Sequence, residues 1–472
     1  MNRFLLCVLC VLCGSVIAAD APPSRPNILF VFGDQWRAQA LGYAGDTNVK
    51  TPHLDALEKQ SVDFTRAIST VPVCCPMRAT LQTGQYALTH GVFMNDVPLD
   101  PNATSLGKTL AAAGYDTGYV GKWHINEHGR SAFIPRERRQ GYEYWKVLEC
   151  THNYNNSFYY ADTPEKLKWD GYDAIAQTKD VCQYLRDHAK QHADKPFAMF
   201  LSWGPPHSPY MTAPQKYRDM YDPAKITLRH NVLPAGQDQA RKNASGYYAH
   251  CTALDDCIGD LLNTLKETGQ DDNTVVVFTA DHGDMLGSHD WYNKQQPYDE
   301  SARVPLLFRL PARMPHENRR ATAAINTEDL MPTLLGLAGV AIPNTVQGRD
   351  YSKYIQGKAK DPGDGASLIS CPAPFGQWNK LIGGREYRAI RTDRYTYVRD
   401  LKGPWLLFDN ETDPYQMTNL VNKPQYATLQ SKLDAALNRK LKEFHDDFRP
   451  ATEYIEKWGY KVSANGTVPY TN

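Results

Sequence analysis

Two short stretches place an acidic residue beside a second metal-capable side chain at the end of an apolar run. Ile28-Leu29-Phe30-Val31-Phe32 runs through Gly33 into Asp34-Gln35, and Val275-Val276-Val277-Phe278 runs through Thr279-Ala280 into Asp281-His282. Carboxylate and amide oxygens with one imidazole are ligands for a divalent cation, and two such pairs far apart in sequence suggest one ion gripped from both sides. Capping of helices by the two aspartates is the plainer alternative. A third stretch, Val73-Cys74-Cys75-Pro76-Met77-Arg78-Ala79-Thr80-Leu81-Gln82-Thr83-Gly84, sets a thiol four residues before a guanidinium, with a second thiol adjacent. An ordinary or vicinal disulfide is the bland reading of Cys74.

The elements that must position these groups are legible. Runs apolar on both faces, including Phe197-Ala198-Met199-Phe200-Leu201, read as central strands of a covered parallel sheet. Helices are expected from Ser105 to Ala113, from Tyr247 to Lys266 and from Asp329 to Leu337, each followed by glycine. Strands alternating with helices predict a doubly wound α/β sheet flanked by helices, whose ligands bind beyond the carboxyl ends of the strands. The pattern changes after the Pro- and Gly-rich segment Asp361 to Gly365. Tyr387 to Tyr397 alternates, Trp405 to Phe408 follows a Gly-Pro turn, and a helix is expected from about Gln425 to Phe444. This predicts a catalytic unit over residues 20–365 and a smaller α+β unit, an antiparallel sheet with one helix, over 366–472.

Composition narrows the functions. The chain has 472 residues, 42% hydrophobic and 22% charged, which excludes a disordered chain. Lys+Arg and Asp+Glu are both 52, so nothing suggests a nucleic-acid partner. Asn2-Arg3, the apolar run Phe4 to Leu12 and the small-residue exit at Ala18-Ala19 read as a cleaved secretory signal over residues 1–19, too short to span a membrane. A secreted or periplasmic protein is expected. Seven cysteines follow the signal: Cys74, Cys75, Cys150, Cys182, Cys251, Cys257 and Cys371. An odd count in an oxidising compartment suggests one thiol with a separate fate.

With these residues in hand, the chain resembles the sulfatase family of the alkaline-phosphatase superfamily. Cys74, Pro76, Arg78, Thr83 and Gly84 match its Cys-x-Pro-x-Arg signature and the Thr-Gly that follows. Gly114 to His124, Trp203 to Pro209, Thr279 to Asp284, Lys294 to Pro305, Arg25 to Ile28 and Asp409 to Leu420 look like its other blocks, in order over nearly the whole chain. The resemblance implies an alkaline-phosphatase-like mixed sheet and a sulfuric ester hydrolase. It implies that a maturation enzyme oxidises Cys74 to formylglycine (3-oxoalanine), whose hydrate is the nucleophile. Asp34, Gln35, residue 74, Asp281 and His282 would hold the cation. Arg78 would hold the hydrate, Lys122 and Lys294 the sulfate. His124 would take a proton from the hydrate and His207 would protonate the leaving alcohol. Many members have Asp in place of Gln35 and Asn in place of His282, so Mg²⁺ and Mn²⁺ stand beside Ca²⁺ as candidates. Conversion of Cys74 would leave six cysteines, enough for three bridges.

The substrate is less legible. The resemblance to the family, with secretion and a Tyr- and Trp-rich chain, implies a sulfated carbohydrate of carrageenan, ulvan or glycosaminoglycan type, since sugars stack on aromatic faces. His152, Asn153 and Trp291 are candidate contacts, and His128, Arg130 and Arg136 to Arg139 could meet further anionic groups. A phosphodiesterase or phosphonate monoester hydrolase, an aryl or choline sulfatase and a non-catalytic glycan-binding relic are the alternatives.

Overall fold

A computed structural model describes residues 25–127, 129–314 and 319–471. The expected leader over 1–19 and His128 lie outside them. Fourteen strands are found among the described residues. Eight form a mixed sheet: β1 Asn27–Asp34, β2 Val62–Ile68, β3 Asp116–Lys122, β4 Tyr144–Leu148, β7 Phe197–Pro206, β8 Thr274–Ala280, β9 Leu306–Arg309 and β10 Arg319–Asn326. Between β4 and β7 a short ribbon pairs β5 Phe158–Tyr159 with β6 Leu167–Lys168. The sheet order is β10-β2-β9-β8-β1-β7-β3-β4. The three apolar runs seen in the sequence are therefore neighbours at the centre, β8-β1-β7, all parallel. Each is buried along its length except for the first residue of β1, as strands covered on both faces must be. Only β9 runs antiparallel to its neighbours, making the sheet mixed.

Helices cover both faces. Ser105 caps the helix Leu106–Ala112 by accepting the Lys108 N–H, as its sequence suggested. The helix Leu330–Ala338 ends at Gly339 in a left-handed conformation. The long helix Gln237–Glu267 begins ten residues earlier than the apolar period at Tyr247 indicated. Its partner Asp173–Gln191, which buries Ala174, Val181, Cys182 and Leu185, was not anticipated.

The second sheet is antiparallel, β11 Ser367–Cys371, β12 Tyr387–Arg391, β13 Tyr395–Asp400 and β14 Gly403–Asp409 in sequential order. The expected helix runs over Ala427–Glu443, and an additional one over Ala451–Trp458. Tyr397, Leu407 and Leu437 join the same apolar core as β1 and β8. The seven cysteines of the described residues are all buried free thiols, so the three expected bridges do not form. Cys75, Cys182, Cys251, Cys257 and Cys371 pack within the apolar clusters as small apolar groups. No helix among the described residues is long and apolar enough to cross a membrane.

Candidate active site

The carboxyl ends of four adjacent parallel strands deliver the reactive groups. Asp34 ends β1 and Lys122 ends β3, while His207 directly follows β7 and Asp281 directly follows β8. Gly121 makes the turn of β3 possible: its φ is +106° and an added Cβ would lie 2.0 Å from the Ser202 carbonyl oxygen of β7. Cys74 is the first residue of the helix Cys74–Thr83, all ten residues of which are buried. Pro76 is tolerated there because first-turn N–H groups have no acceptor within the helix. The orphan N–H of Cys75 is taken instead by Asn95 Oδ1 at 3.0 Å.

Cys74 Sγ lies where oppositely charged groups meet. It is 3.6 Å from Asp34 Oδ1, 3.3 Å from His282 Nε2, 3.4 Å from Lys294 Nζ and 3.7 Å from Lys122 Nζ. Burial and Asp34 push this thiol up, but Lys122, Lys294 and His282 outweigh them and hold it well below the ordinary range. Cys75, one helical step on, faces elsewhere: its Sγ accepts the Asp96 N–H at 3.3 Å, and burial raises its thiol. A vicinal disulfide is absent.

The buried guanidinium of Arg78 ties the two carboxylates together. It donates to Asp34 Oδ2 (3.1 Å), Asp281 Oδ2 (3.0 Å), the Lys122 carbonyl (2.8 Å) and Ser202 Oγ (2.7 Å). Lys122 Nζ also takes Asp34 Oδ2, at 2.6 Å. The cations thus occupy the Oδ2 side of both carboxylates; Asp34 Oδ1 faces Cys74 Sγ, and Asp281 Oδ1 accepts the backbone N–H groups of Gln35 and His282, each at 2.9 Å. His282 Nδ1 lies 2.9 Å from the Gly283 carbonyl, which can only accept, so Nδ1 donates there and Nε2 is the atom that faces Cys74 and the carboxylates; burial lowers this imidazole, but Asp281 and Cys74 outweigh it and raise it. That Nε2 is 3.7 Å from Asp34 Oδ1 and 3.5 Å from Asp281 Oδ1. Ligand atoms of Asp34, Cys74, Asp281 and His282 all lie within 4.8 Å of one another. Two carboxylate oxygens and one imidazole fit a divalent cation. Burial and Asp34 raise Asp281 to about 6, whereas Asp34, facing Lys122, His207, Lys294 and Arg78, stays well below the carboxylate range despite burial.

Gln35, in a left-handed conformation at φ +69°, accepts Lys294 Nζ on Oε1 (3.0 Å) and donates Nε2 to Asp284 Oδ2 (2.7 Å). Lys294 Nζ is also 2.9 Å from His207 Nε2. His207 Nδ1 is 2.8 Å from the Ser208 carbonyl and must donate there, so Nε2 accepts from Lys294. Burial and then Lys294 hold His207 well below the usual imidazole range. His152, exposed, stacks on His207 at 4.6 Å with rings 10° apart.

The structure thus gathers Asp34, Gln35, Cys74, Arg78, Lys122, His207, Asp281, His282 and Lys294 in one contact network and stacks His152 on it. His124 stands two residues beyond Lys122, its Nε2 3.2 Å from Asp96 Oδ1. Asn153 is exposed, and Trp291 packs beside the second apolar cluster, with Trp378 and Tyr387. Arg139 is buried, bonded to Ile134, Ala161 and Asp162, and Arg136 pairs with Glu143. Ser202, Asp284 and Asp96 were not singled out from sequence. Ser202 is a polar residue inside an apolar strand, and Asp284 is a further carboxylate in the Asp281-His282 turn; both were readable signals.

The family model described as Sulfatase matches residues 26–340, and that described as N-sulphoglucosamine sulphohydrolase, C-terminal, matches residues 287–443. The chain belongs to the sulfatase family. It is a sulfuric ester hydrolase of α/β architecture with a large mixed sheet. It is 46% identical to an ulvan-active sulfatase of Formosa agariphila, over 95% of this chain and 87% of that protein. A structure from work on the metabolism of multiple glycosaminoglycans by Bacteroides thetaiotaomicron superposes with a TM-score of 0.81 at 28% identity, covering 92% of this sulfatase and 99% of the other chain. The phosphonate monoester hydrolase of Agrobacterium radiobacter shares the fold, with a TM-score of 0.73 at 22% identity over 95% of this chain and 100% of its own.

Proposed function

We propose that this sulfatase is exported to the periplasm or the medium and removes sulfate from a polysaccharide, with residue 74 working as a formylglycine hydrate beside Ca²⁺. The single observation that carries the reading is the position of Cys74 Sγ, in contact at once with two ammonium groups and with the inward cluster of Asp34 and His282. Sγ marks where the hydrate oxygens of a converted residue 74 would lie. A cation held by Asp34, Gln35, Asp281 and His282 supplies charge that lowers the hydrate pKa and neutralises sulfate oxygens. Lys122 and Lys294 bind the sulfate and stabilise charge building on it. One oxygen of the residue 74 hydrate, its proton given up to solvent, attacks sulfur, the sulfur–oxygen bond to the alcohol breaks, and the alcohol departs with the proton of His207. The second hydroxyl then gives its proton to His124, the carbon–oxygen bond to sulfate breaks, and the aldehyde returns. The incoming sulfate ester is a monoanion, and its charge beside His207 favours the protonated ring and raises the depressed imidazole toward a usable acid.

The resemblance to an ulvan-active sulfatase supports a sulfated algal glycan of ulvan type ahead of carrageenan or glycosaminoglycan. His152, above His207, is placed to meet the leaving sugar. Residues 20–365 carry every group of this scheme. Sulfate release from defined ulvan, carrageenan and glycosaminoglycan oligosaccharides tests it, with phosphodiesters and phosphonate monoesters assayed in parallel. Higher kcat/KM on the phosphorus esters would assign the chemistry that Gln35 and His282 also permit.

A further inference from the structure

We propose that Asp96 is a positioning residue for His124: it fixes the imidazole with Nε2–H turned away from the reaction and Nδ1 free to take the proton, and Arg130 with the segment Tyr470-Thr471 holds Asp96 in place. The inference rests on the reading of His124 as proton acceptor in sulfate release.

Asp96 lies in the loop after the short helix Ala87–His90, is buried, and has φ +61°. His124, at the other end of its hydrogen bond, has φ +60°. Two non-glycine residues held in the left-handed region across one contact mean that their surroundings over-determine them, as is usual where geometry serves a reaction. Asp96 Oδ1 accepts His124 Nε2 at 3.2 Å and Arg130 Nε at 3.0 Å, and Oδ2 accepts Arg130 Nη2 at 2.9 Å. Its own N–H is fixed on Cys75 Sγ. Burial raises this carboxyl, but hydrogen bonds from His124 and Arg130 outweigh it and keep it well below the usual carboxylate range. A permanent anion at Nε2 requires Nε2–H. In the neutral ring the lone pair then sits on Nδ1, which is buried and has no hydrogen-bond partner in the structure.

Arg130 is itself tied from three sides. Its guanidinium lies over the Tyr470 ring at 3.4 Å, its N–H donates to the Thr471 carbonyl (2.8 Å), and its carbonyl accepts the Cys150 N–H (3.0 Å). The chain's last described residues therefore hold the arginine that clamps Asp96. The charged and titratable groups around His124 are Asp96, Arg130, Lys122, Cys75, Cys150 and Glu149. Burial and Lys122 lower the imidazole, while Cys75, Cys150 and Asp96 raise it, and the balance lies above the ordinary value. Proton transfer from the second hydroxyl to Nδ1 leaves an imidazolium facing the Asp96 carboxylate. The electron pair of the breaking carbon–oxygen bond leaves with sulfate, and the carbonyl of residue 74 is restored.

Asp96→Asn, secreted and matched to the parent for formylglycine content, tests this. The first step needs no base of this kind, so the substrate alcohol should be released in a burst ahead of sulfate, with sulfated residue 74 accumulating and detectable by peptide mass. kcat should fall roughly 10²–10⁴-fold with KM falling in step, so that kcat/KM, which reports the first step, changes less than about threefold. The residual activity should lose its acid limb at lower pH, since without the anion His124 is less basic. Arg130→Gln, which leaves the carboxylate but removes its clamp, should show the same burst with a smaller loss and covers the case in which Asp96→Asn fails to fold. An unchanged pH profile without a burst in either folded variant overturns the inference. Absence of sulfate release by the parent enzyme would instead overturn the functional reading beneath it.

Discussion

Replacing His207 with alanine should separate substrates by leaving group. His207 Nε2 accepts Lys294 Nζ at 2.9 Å and Nδ1 is committed to the Ser208 carbonyl, so any proton for the leaving oxygen passes through Nε2. A sugar hydroxyl leaves poorly as an alkoxide and needs that proton, whereas an activated phenol does not. General acid catalysis contributes about 10²–10⁴-fold, or about 3–5 kcal/mol of barrier. His207→Ala should lower kcat/KM on a sulfated disaccharide by about that factor and on 4-nitrophenyl sulfate by less than about tenfold. The sign with pH follows from the depressed imidazole: burial and Lys294 favour the neutral ring, so the protonated fraction falls as pH rises. The parent enzyme should lose activity on the disaccharide toward alkaline pH more steeply than on the aryl ester, and the variant should lose this difference. Ion chromatography of sulfate and absorbance of nitrophenolate give the two rates. Equal losses on both esters would refute the acid role.

Three further outcomes are expected. Exhaustive chelation should inactivate and Ca²⁺ should restore, while Gln35→Ala should raise the Ca²⁺ concentration for half-activity by roughly 10–100-fold; full activity of the chelated enzyme would contradict the cation site. Burial and neighbouring Asp329 raise Glu328 to about 8, so folding favours its neutral form and stability drains away as pH climbs from its ordinary 4.5 toward 8. Glu328→Gln should therefore melt a few degrees higher than the parent at pH 8 and no higher at pH 4, by calorimetry; an equal shift at both pH values would contradict the assignment. Gly121→Ala, which drives a Cβ onto the Ser202 carbonyl at a positive φ, should cost at least about 2 kcal/mol in urea unfolding and impair activity by shifting Lys122; a neutral result would mean β3 and β7 separate easily there.

Much of this was legible in the chain because its central strands are continuous apolar runs that end in chemistry. Asp34 and Asp281 close β1 and β8, and both are neighbours in the sheet because the strands are. The helix Asp173–Gln191 escaped because its apolar face is interrupted by Gln177, Thr178 and His188, polar residues that are themselves buried. Asp96 escaped because a loop carboxylate has no period; its meaning comes from His124 and Arg130, 28 and 34 residues away. Arg139 escaped in another way: the run Arg136 to Arg139 reads equally as contacts for anionic groups or as a solvated loop, yet Arg139 is a buried tie holding the carbonyls of Ile134 and Ala161. The bridge count failed for a related reason, since parity of cysteines says nothing about whether they meet.

The most direct test is the mass of the peptide from Ala67 to Arg78 in active, secreted enzyme, read beside the activity of Cys74→Ala and Cys75→Ser. The account predicts an aldehyde at residue 74, no turnover in Cys74→Ala and substantial turnover in Cys75→Ser. A fully active protein carrying an intact thiol at residue 74 would contradict it.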